Sequence, residues 1–404
     1  MDTNTHPKAR QNIKESEIIN ALLGRSIPCK IIFPDASEIE IGNESPKFTA
    51  TFKTSDSLLL PLSELAIGKS YIDGEIDIDG DFYEVMRLRD ELSFGTTMKQ
   101  KLEFLYNLFI KSPTKSNKDA ISSHYDLGDD FYLTFLDKDY HFYSHCLFDN
   151  DDESLEEAAE HKLESMWKAL NLEPGMSLLD IGGGWGAVAE YCSPRGVKVT
   201  SVTLADDSAK HIQKKIDEKS LNAEVIHSDF LELETSRKFD HVVIYGVIEH
   251  IPNYALFSEK VWDLLRPGGR LYLDASATTE KFAISPITRQ FTWPGHHSFF
   301  SLADMIREQL LHGFEVLEAK RETRDYELTI TRWAERFEAN REYLIDRWGE
   351  RNYRIFRIFL WGGAHAFHTN RLQAYHLVTQ KLDSPGLRPG LVHRVSNFIS
   401  TLVR

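Results

Sequence analysis

An α/β fold is what this chain predicts: a doubly wound, mostly parallel sheet preceded by a smaller α+β domain. Three observations point there. Strand and helix patterns alternate from Ser154 to Ser276, a glycine-rich loop follows the first apolar strand of that stretch, and the residues up to Asp81 read as short extended pieces. With 404 residues and a soft prior of about 150 residues per domain, the chain divides into two units.

The extended pieces are "PCKIIF", "SEIEIG", "FTATFKT", "SLLLPL" and "GKSYIDGEIDIDGDF", where alternation and Gly/Asp punctuation favour strands and turns. Helical patterns follow from Phe82 to about Leu108. The stretch from Ile110 to Ser123 is rich in Ser and Lys, with one Pro and no apolar period. It places a linker at 110–123, between a small domain over 1–109 and a larger one over 124–404. Ser154 to Leu170 then opens with a Ser-x-x-Glu capping box and sets Leu155, Ala159, Leu163, Met166 and Leu170 at helical spacing. Strand "SLLDI", the glycine loop, a short helix and strand "VKVTSVTL" follow. Ala205 to Lys219 is helical, and "AEVIHSDF" and "KFDHVVIYGV" read as buried strands. "YALFSEKVWDLL" is a helix stopped by Pro267, Gly268 and Gly269, before strand "RLYLDAS". No internal repeat is visible.

Composition narrows the classes. Hydrophobic residues at 42% and charged residues at 27% are those of a globular chain. A formal net charge of −15 argues against nucleic acid as the main partner, because phosphate backbones demand clustered cations. Residues Met1 to Ile18 carry no secretory signal, and nowhere are there about 18 consecutive apolar residues, so the chain is expected in the cytoplasm. Cys29, Cys146 and Cys192 are odd in number and scattered, which suits reduced thiols and offers no metal-ligand spacing. Near the C-terminus Arg336, Arg341, Arg347, Arg351, Arg354 and Arg357 interleave with aromatic and aliphatic residues. That segment suits either an anionic lipid surface or a solvated helix face with its apolar side in a core.

In "LLDIGGGWG" the glycines Gly182, Gly184 and Gly186 form G-x-G-x-G, whereas a dinucleotide fingerprint wants two residues before the last glycine. Glycines here let backbone N–H groups approach a ligand at the start of a helix. Asp229, in "HSDF" after the third strand, stands where a carboxylate can accept a hydrogen bond from an adenine amino group. Together with "FDHVVIYGVIEHI" and "LLRPGGRLYL", the arrangement resembles Rossmann-like class I methyltransferases, with their seven-stranded, mostly parallel sheet and S-adenosylmethionine as methyl donor.

Further motifs sharpen the likeness: "LAIGKSYIDGEIDIDGDFYEVM" before the linker, then "SSHYDLGDDFYLTFLDKDYHFYSHCLF", "LEEAAEHKL", "VTLADDSAKHI", "GVIEHI" and "DYELTITRWAERF". From about Pro61 onward the chain resembles the cyclopropane-fatty-acyl-phospholipid synthase family, whose relatives include mycolic acid cyclopropane synthases and fatty-acid C-methyltransferases. The resemblance implies methyl transfer to the double bond of an unsaturated acyl chain. A carbocation follows, and loss of a proton from the new methyl closes a cyclopropane ring. Deprotonation elsewhere, or a prior hydride shift, gives a methyl-branched or methylene lipid. The implied partner is an unsaturated phospholipid at the membrane surface, so the enzyme would be peripherally associated, with a lipid-binding N-terminal domain and a homodimer left open.

In that family a bicarbonate ion acts as base, held by a cysteine, the glutamate of a Glu-His pair, a histidine ending the fifth strand, an isoleucine two residues on, and a tyrosine. Carried over, the glutamate is Glu249, beside His250, and the tyrosine is Tyr326. "YSHCLF" inserts His145 before Cys146, so either can occupy the cysteine's place. The histidine falls on Asp274 and the isoleucine on Ser276. Two carboxylates and a bicarbonate would crowd like charges, so one carboxyl must be protonated or the anion absent. The expectation is that Asp274 or Glu249 takes over the anion's role, with bicarbonate as the second alternative. For the methyl donor, the resemblance implies contacts from Tyr143, Ser144, Gly182, Gly184, Thr203, Leu204, Asp229 and Phe230, and Asp206 is a further candidate for the ribose hydroxyls.

Plainer readings stand beside these. Glu249 and His250 can cap a helix, Asp274 can bind backbone N–H groups at a strand end, and Tyr326 can be core packing. Cys146 reads as a backbone contributor or packing residue, and His296 and His297 as loop residues shaping a pocket. Two rival functions remain: a small-molecule methyltransferase, as in plant alkaloid N-methyltransferases, and a noncatalytic lipid-binding protein on the same scaffold.

Overall fold

The computed structural model describes residues 27–58, 63–91, 127–279, 285–292 and 298–383. The linker at 110–123, and His296 and His297, lie outside them. The chain divides into two compact units, one of residues 1–111, 285–294 and 334–365, the other of 112–284, 295–333 and 366–404. The N-terminal strands thus share a unit with two segments from far along the chain, a junction that periodicity does not reveal.

In the first unit β1 (Cys29–Ile32), β2 (Glu38–Ile41), β3 (Phe48–Phe52) and β4 (Ile76–Gly80) form a sheet ordered β2-β1-β3-β4. β1 and β3 run parallel, and the other pairs antiparallel. Alternate residues Cys29, Ile31, Phe48 and Ala50 turn inward to a core with Leu58 and Leu88. Two helices belong here, α1 (Glu64–Ile72) and α2 (Phe82–Glu91). The first corrects the expectation of extended structure in "GKSYI". Ser63 caps α1 by accepting a hydrogen bond from the Ala66 N–H at 3.2 Å, and only from Ile76 does period-2 alternation prevail.

The second unit carries a seven-stranded sheet of β5 (Ser177–Ile181), β6 (Lys198–Thr203), β7 (Ala223–His227), β8 (Phe239–Tyr245), β9 (Leu265–Ala277), β10 (Phe314–Arg321) and β11 (Gln373–Lys381). Its order is β10-β11-β9-β8-β5-β6-β7. Strands β5 to β9 are parallel, and β11 lies antiparallel to both β9 and β10. Between the strands run α3 (Leu155–Leu170), α4 (Ala187–Cys192), α5 (Asp206–Lys219), α6 (Tyr254–Leu264), α7 (Leu302–Leu311) and α8 (Thr323–Ala339). The capping box at Ser154 and Glu157 is formed in both directions. Strand β9 begins at Leu265 rather than Arg270: β8 pairs with it from Phe239, and the register shifts before His241, absorbing the Pro-Gly-Gly segment. Leu179, Val242, Ile244, Leu271, Phe257 and Leu377 lie in one core.

The chain returns to the first unit at Ala334, within α8, and continues through α9 (Arg341–Trp348) into α10 (Glu350–His368). Here the arginine-aromatic segment divides. Arg354 is 6% exposed: Nη1 donates to the Tyr71 and Ile76 carbonyls at 2.7 and 2.9 Å, and Nη2 to Asp77 and Glu350. Arg357 donates to the Ile78 carbonyl at 3.0 Å and lies over the Phe82 ring. These two arginines are fastened inside the unit, while Arg341, Arg347 and Arg351 are exposed.

Candidate active site

The C-terminal ends of β5, β6, β8 and β9 share one edge of the second unit's sheet. After β5, the Gly182 N–H donates to the Val202 carbonyl at 2.8 Å, which ties the glycine loop to β6. Gly182 has φ +102°, and a Cβ there would lie 2.4 Å from Val247 Cγ2. The loop therefore packs directly on the segment that carries Glu249. Gly184, at φ +51°, is different, since an added Cβ would meet nothing within 4 Å. Gly184 is exposed, so the backbone of the loop stays open to a ligand there.

Along the same edge Thr203 ends β6 opposite His227 of β7. Its carbonyl accepts from the Ser228 N–H at 2.9 Å, and the Leu204 carbonyl is 3.0 Å from His227 Nε2. Asp229 Oδ1 accepts from the Leu231 N–H at 2.8 Å and so caps a short turn, with Phe230 buried against Phe257. Asp206 is exposed and pairs with Lys210 on its own helix.

The loop bearing Tyr143, Ser144 and Cys146 is shaped by Asp137, a residue the sequence reading missed. Its buried carboxylate accepts three backbone hydrogen bonds, from Tyr140 at 2.6 Å, His141 at 2.9 Å and Phe142 at 2.6 Å. Tyr143 then stacks on Trp333 with ring centroids 5.5 Å apart. Ser144 sits against Gly246, where an added Cβ would lie 3.0 Å from Ser144 Cβ. The Cys146 N–H donates to Thr329 Oγ1 at 2.9 Å, and burial raises its thiol well above the ordinary range. That suits the packing reading.

Behind this loop stands Lys162 of α3, fully buried. Its Nζ donates to Ser144 Oγ at 2.7 Å and the His145 carbonyl at 2.6 Å, and it pairs with Asp274 Oδ2 at 2.7 Å. The rings of Tyr245 and Phe142 lie 4.4 and 4.8 Å from it. Asp274 Oδ1 accepts from the Gly246 N–H at 2.9 Å, which accounts for both carboxylate oxygens. The like-charge crowding expected between Asp274 and Glu249 is thus relieved by a lysine that the sequence reading passed over. A signal was present: Lys162 falls among Ala158, Ala159, Leu163 and Met166 on the buried face of α3.

Glu249 follows β8 in a short turn and is 3% exposed. Oε1 accepts from both the N–H and the hydroxyl of Ser276, at 2.9 and 2.8 Å. Oε2 is buried and has no hydrogen-bond partner among the described residues. Burial pushes the carboxyl up to about 7, with the Asp274 charge adding to the effect. Its neighbour His250 is held neutral by burial, down to about 4. Tyr326 of α8 stacks on Phe367 at 4.2 Å and lies 4.9 Å from the His145 ring. Burial raises its phenol, and the charges of Glu249 and Asp274 raise it further.

His145 completes the cluster. Its Nε2 is 2.8 Å from Glu322 Oε2, and Glu322 Oε1 is 2.5 Å from His376 Nδ1. Glu322 and His376 carry no motif that would single them out in sequence.

Comparison with known proteins settles the family. Residues 112–377 match the family model for mycolic acid cyclopropane synthetase. The chain belongs to that family. It is 30% identical over 385 residues to cyclopropane-fatty-acyl-phospholipid synthase of Escherichia coli strain K12, which covers 92% of this chain and 94% of the relative. It is 27% identical over 383 residues to a probable fatty acid methyltransferase of Pseudomonas putida, covering 89% and 94%. Among solved structures, mycolic acid cyclopropane synthase CmaA1 complexed with SAH and CTAB superposes with a TM-score of 0.61 at 25% identity, over 65% of this chain and 98% of that one. Coclaurine N-methyltransferase, at 20% identity and a TM-score of 0.66 over 78% and 99%, shares the fold. This member of the mycolic acid cyclopropane synthetase family is an S-adenosylmethionine-dependent methyltransferase with the class I fold.

Proposed function

We propose that the enzyme methylates the double bond of an unsaturated fatty acyl chain in a phospholipid, giving a cyclopropane or methyl-branched chain by way of a carbocation. Bound S-adenosylmethionine supplies an electrophilic methyl group. Tyr143, Ser144, Gly182, Gly184, Thr203, Leu204, Asp229 and Phe230 would hold it, where the loop is open at Gly184.

Glu249 carries the reading. Its Oε1 is pinned by two Ser276 donors and its Oε2 is buried without a partner, so one orientation of negative charge is fixed in advance. Such a charge in a water-poor site stabilises a hydrocarbon cation far more than an exposed one would. Asp274 serves differently. Committed to Lys162 and Gly246, it fixes the strand end and the Ser144 loop, while Glu249 supplies the negative charge that stabilises the cation. Tyr326 is buried against His145 and Phe367, and neutral His250 adds no competing charge. Bicarbonate does not fit this donor set, because both Ser276 donors are engaged by Glu249 and Lys162 by Asp274.

The substrate places the enzyme at a membrane surface, and no described helix is long and apolar enough to cross one. Incubating the protein with S-adenosylmethionine and unsaturated phospholipid vesicles, followed by lipid mass spectrometry, tests the reading. The expected product has gained one methylene unit on an acyl chain, and saturated vesicles give none. Methylation confined to small amines would overturn it in favour of an N-methyltransferase.

A further inference from the structure

The cluster behind Tyr326 holds an imidazole that nothing above employs. His145 is fully buried, and its Nδ1 has no hydrogen-bond partner among the described residues. Its other nitrogen is fixed to Glu322 Oε2 at 2.8 Å, and its ring lies 4.9 Å from that of Tyr326. The backbone around it is tied down as well: the His145 carbonyl accepts from Lys162, and the next N–H donates to Thr329. A carboxylate on one imidazole nitrogen fixes the tautomer, leaves the opposite lone pair free and stabilises the imidazolium once formed.

We propose that His145 is the proton acceptor that closes the ring, with Glu322 as its positioning residue. This rests on the lipid methyltransferase reading and deepens it. The C–H bond of the transferred carbon breaks, its electron pair forms the last C–C bond of the ring to the cationic carbon, and the proton bonds to His145 Nδ1. Positive charge moves from hydrocarbon to an imidazolium already hydrogen-bonded to a carboxylate. Burial opposes ionisation at Glu322, but the hydrogen bonds from His145 and His376 outweigh it and hold the carboxyl well below its usual range. Burial likewise works against a charged His376, and the Glu322 hydrogen bond overcomes it. Glu322 is thus shared between His145 and His376, and His145 Nδ1 is left without a partner among the described residues.

The test uses a methyl donor carrying three deuterium atoms and unsaturated phospholipid vesicles. Wild type should give a product that keeps two. In His145→Gln the two-deuterium product should fall by on the order of 10²-fold, while consumption of the donor and lipids retaining all three persist. An unchanged two-deuterium yield, or a wild-type product that keeps all three, overturns the proposal. If wild type transfers no label to lipid at all, the lipid reading itself fails, which is a distinct result. A readout that needs no donor and no variant is nitrogen-15 NMR of histidine-labelled protein. His145 should show an unprotonated Nδ1 and a protonated Nε2, and Glu322→Gln should lose that preference where Glu322→Asp restores it. The opposite tautomer in wild type overturns the proposal even if every variant fails to fold.

Discussion

Lys162 Nζ and Asp274 Oδ2 meet at 2.7 Å with both side chains about 1% exposed, an ion pair sealed between α3 and the end of β9. Removing one partner from such a pair strands the other's charge, at a cost of roughly 3–5 kcal/mol. Lys162→Met should lose about that much stability in urea denaturation. Lys162→Met combined with Asp274→Asn should recover most of it, since no unpaired charge then remains. Equal losses in the single and double variants would show that packing, not charge, dominates here.

Glu249 makes a pH-dependent contribution whose sign is fixed. Its folded value of about 7 lies above the ordinary 4.5, so the folded protein binds this proton more tightly than the unfolded chain does. The resulting stability is fully present below about 4.5 and is lost as pH rises to about 7. Between those limits Glu249→Gln should gain on wild type by on the order of 3 kcal/mol. Denaturant melts of both proteins across that range check it, and parallel curves would contradict it.

Gly182 and Gly184 separate folding from binding. Gly182→Ala combines φ +102° with a 2.4 Å approach to Val247, and should destabilise the fold by roughly 1–3 kcal/mol. Gly184→Ala meets no protein atom and should cost about 1 kcal/mol for its left-handed backbone. Because Gly184 is proposed to line the methyl donor, the added methyl should weaken S-adenosylmethionine affinity by about 10-fold or more in calorimetry, a fold-change worth about 1.4 kcal/mol.

Arginines close together in sequence should behave oppositely. Arg354→Met removes a buried donor from the Tyr71 and Ile76 carbonyls and one of the two cations on Asp77, which keeps Lys53, and should cost about 2–4 kcal/mol. Exposed Arg347, which donates to the Tyr343 hydroxyl and lies over the Trp348 ring, should tolerate Gln within about 0.5 kcal/mol. Chemical denaturation of the two variants distinguishes them.

The alternation of strands and helices from Ser154 to Ser276 was legible because each element's period follows from which face it buries. The G-x-G-x-G loop and Glu249 could be placed for the same reason, as each sits at a strand end. Helix α1 was misread because "YIDGEIDIDG" alternates strongly enough to mask the Ser63 cap before it. Lys162, Glu322 and His376 were not found, since each becomes functional only through partners distant in sequence. His376 meets Glu322 from a strand 54 positions on. Asp274 could be flagged as anomalous, but its neutralising cation sits 112 residues earlier, a separation given by positions 162 and 274.

The antiparallel pairing of β11 with β9 places His376 directly opposite Asp274. Since side chains alternate along a strand, slipping this pairing by one residue would swing Leu377 or Tyr375 into that place and carry the imidazole to the opposite side of the sheet. Alignment along a single strand pair therefore governs two ion-paired groups at once, and insertions between α10 and β11 should be tolerated only when they leave that alignment untouched.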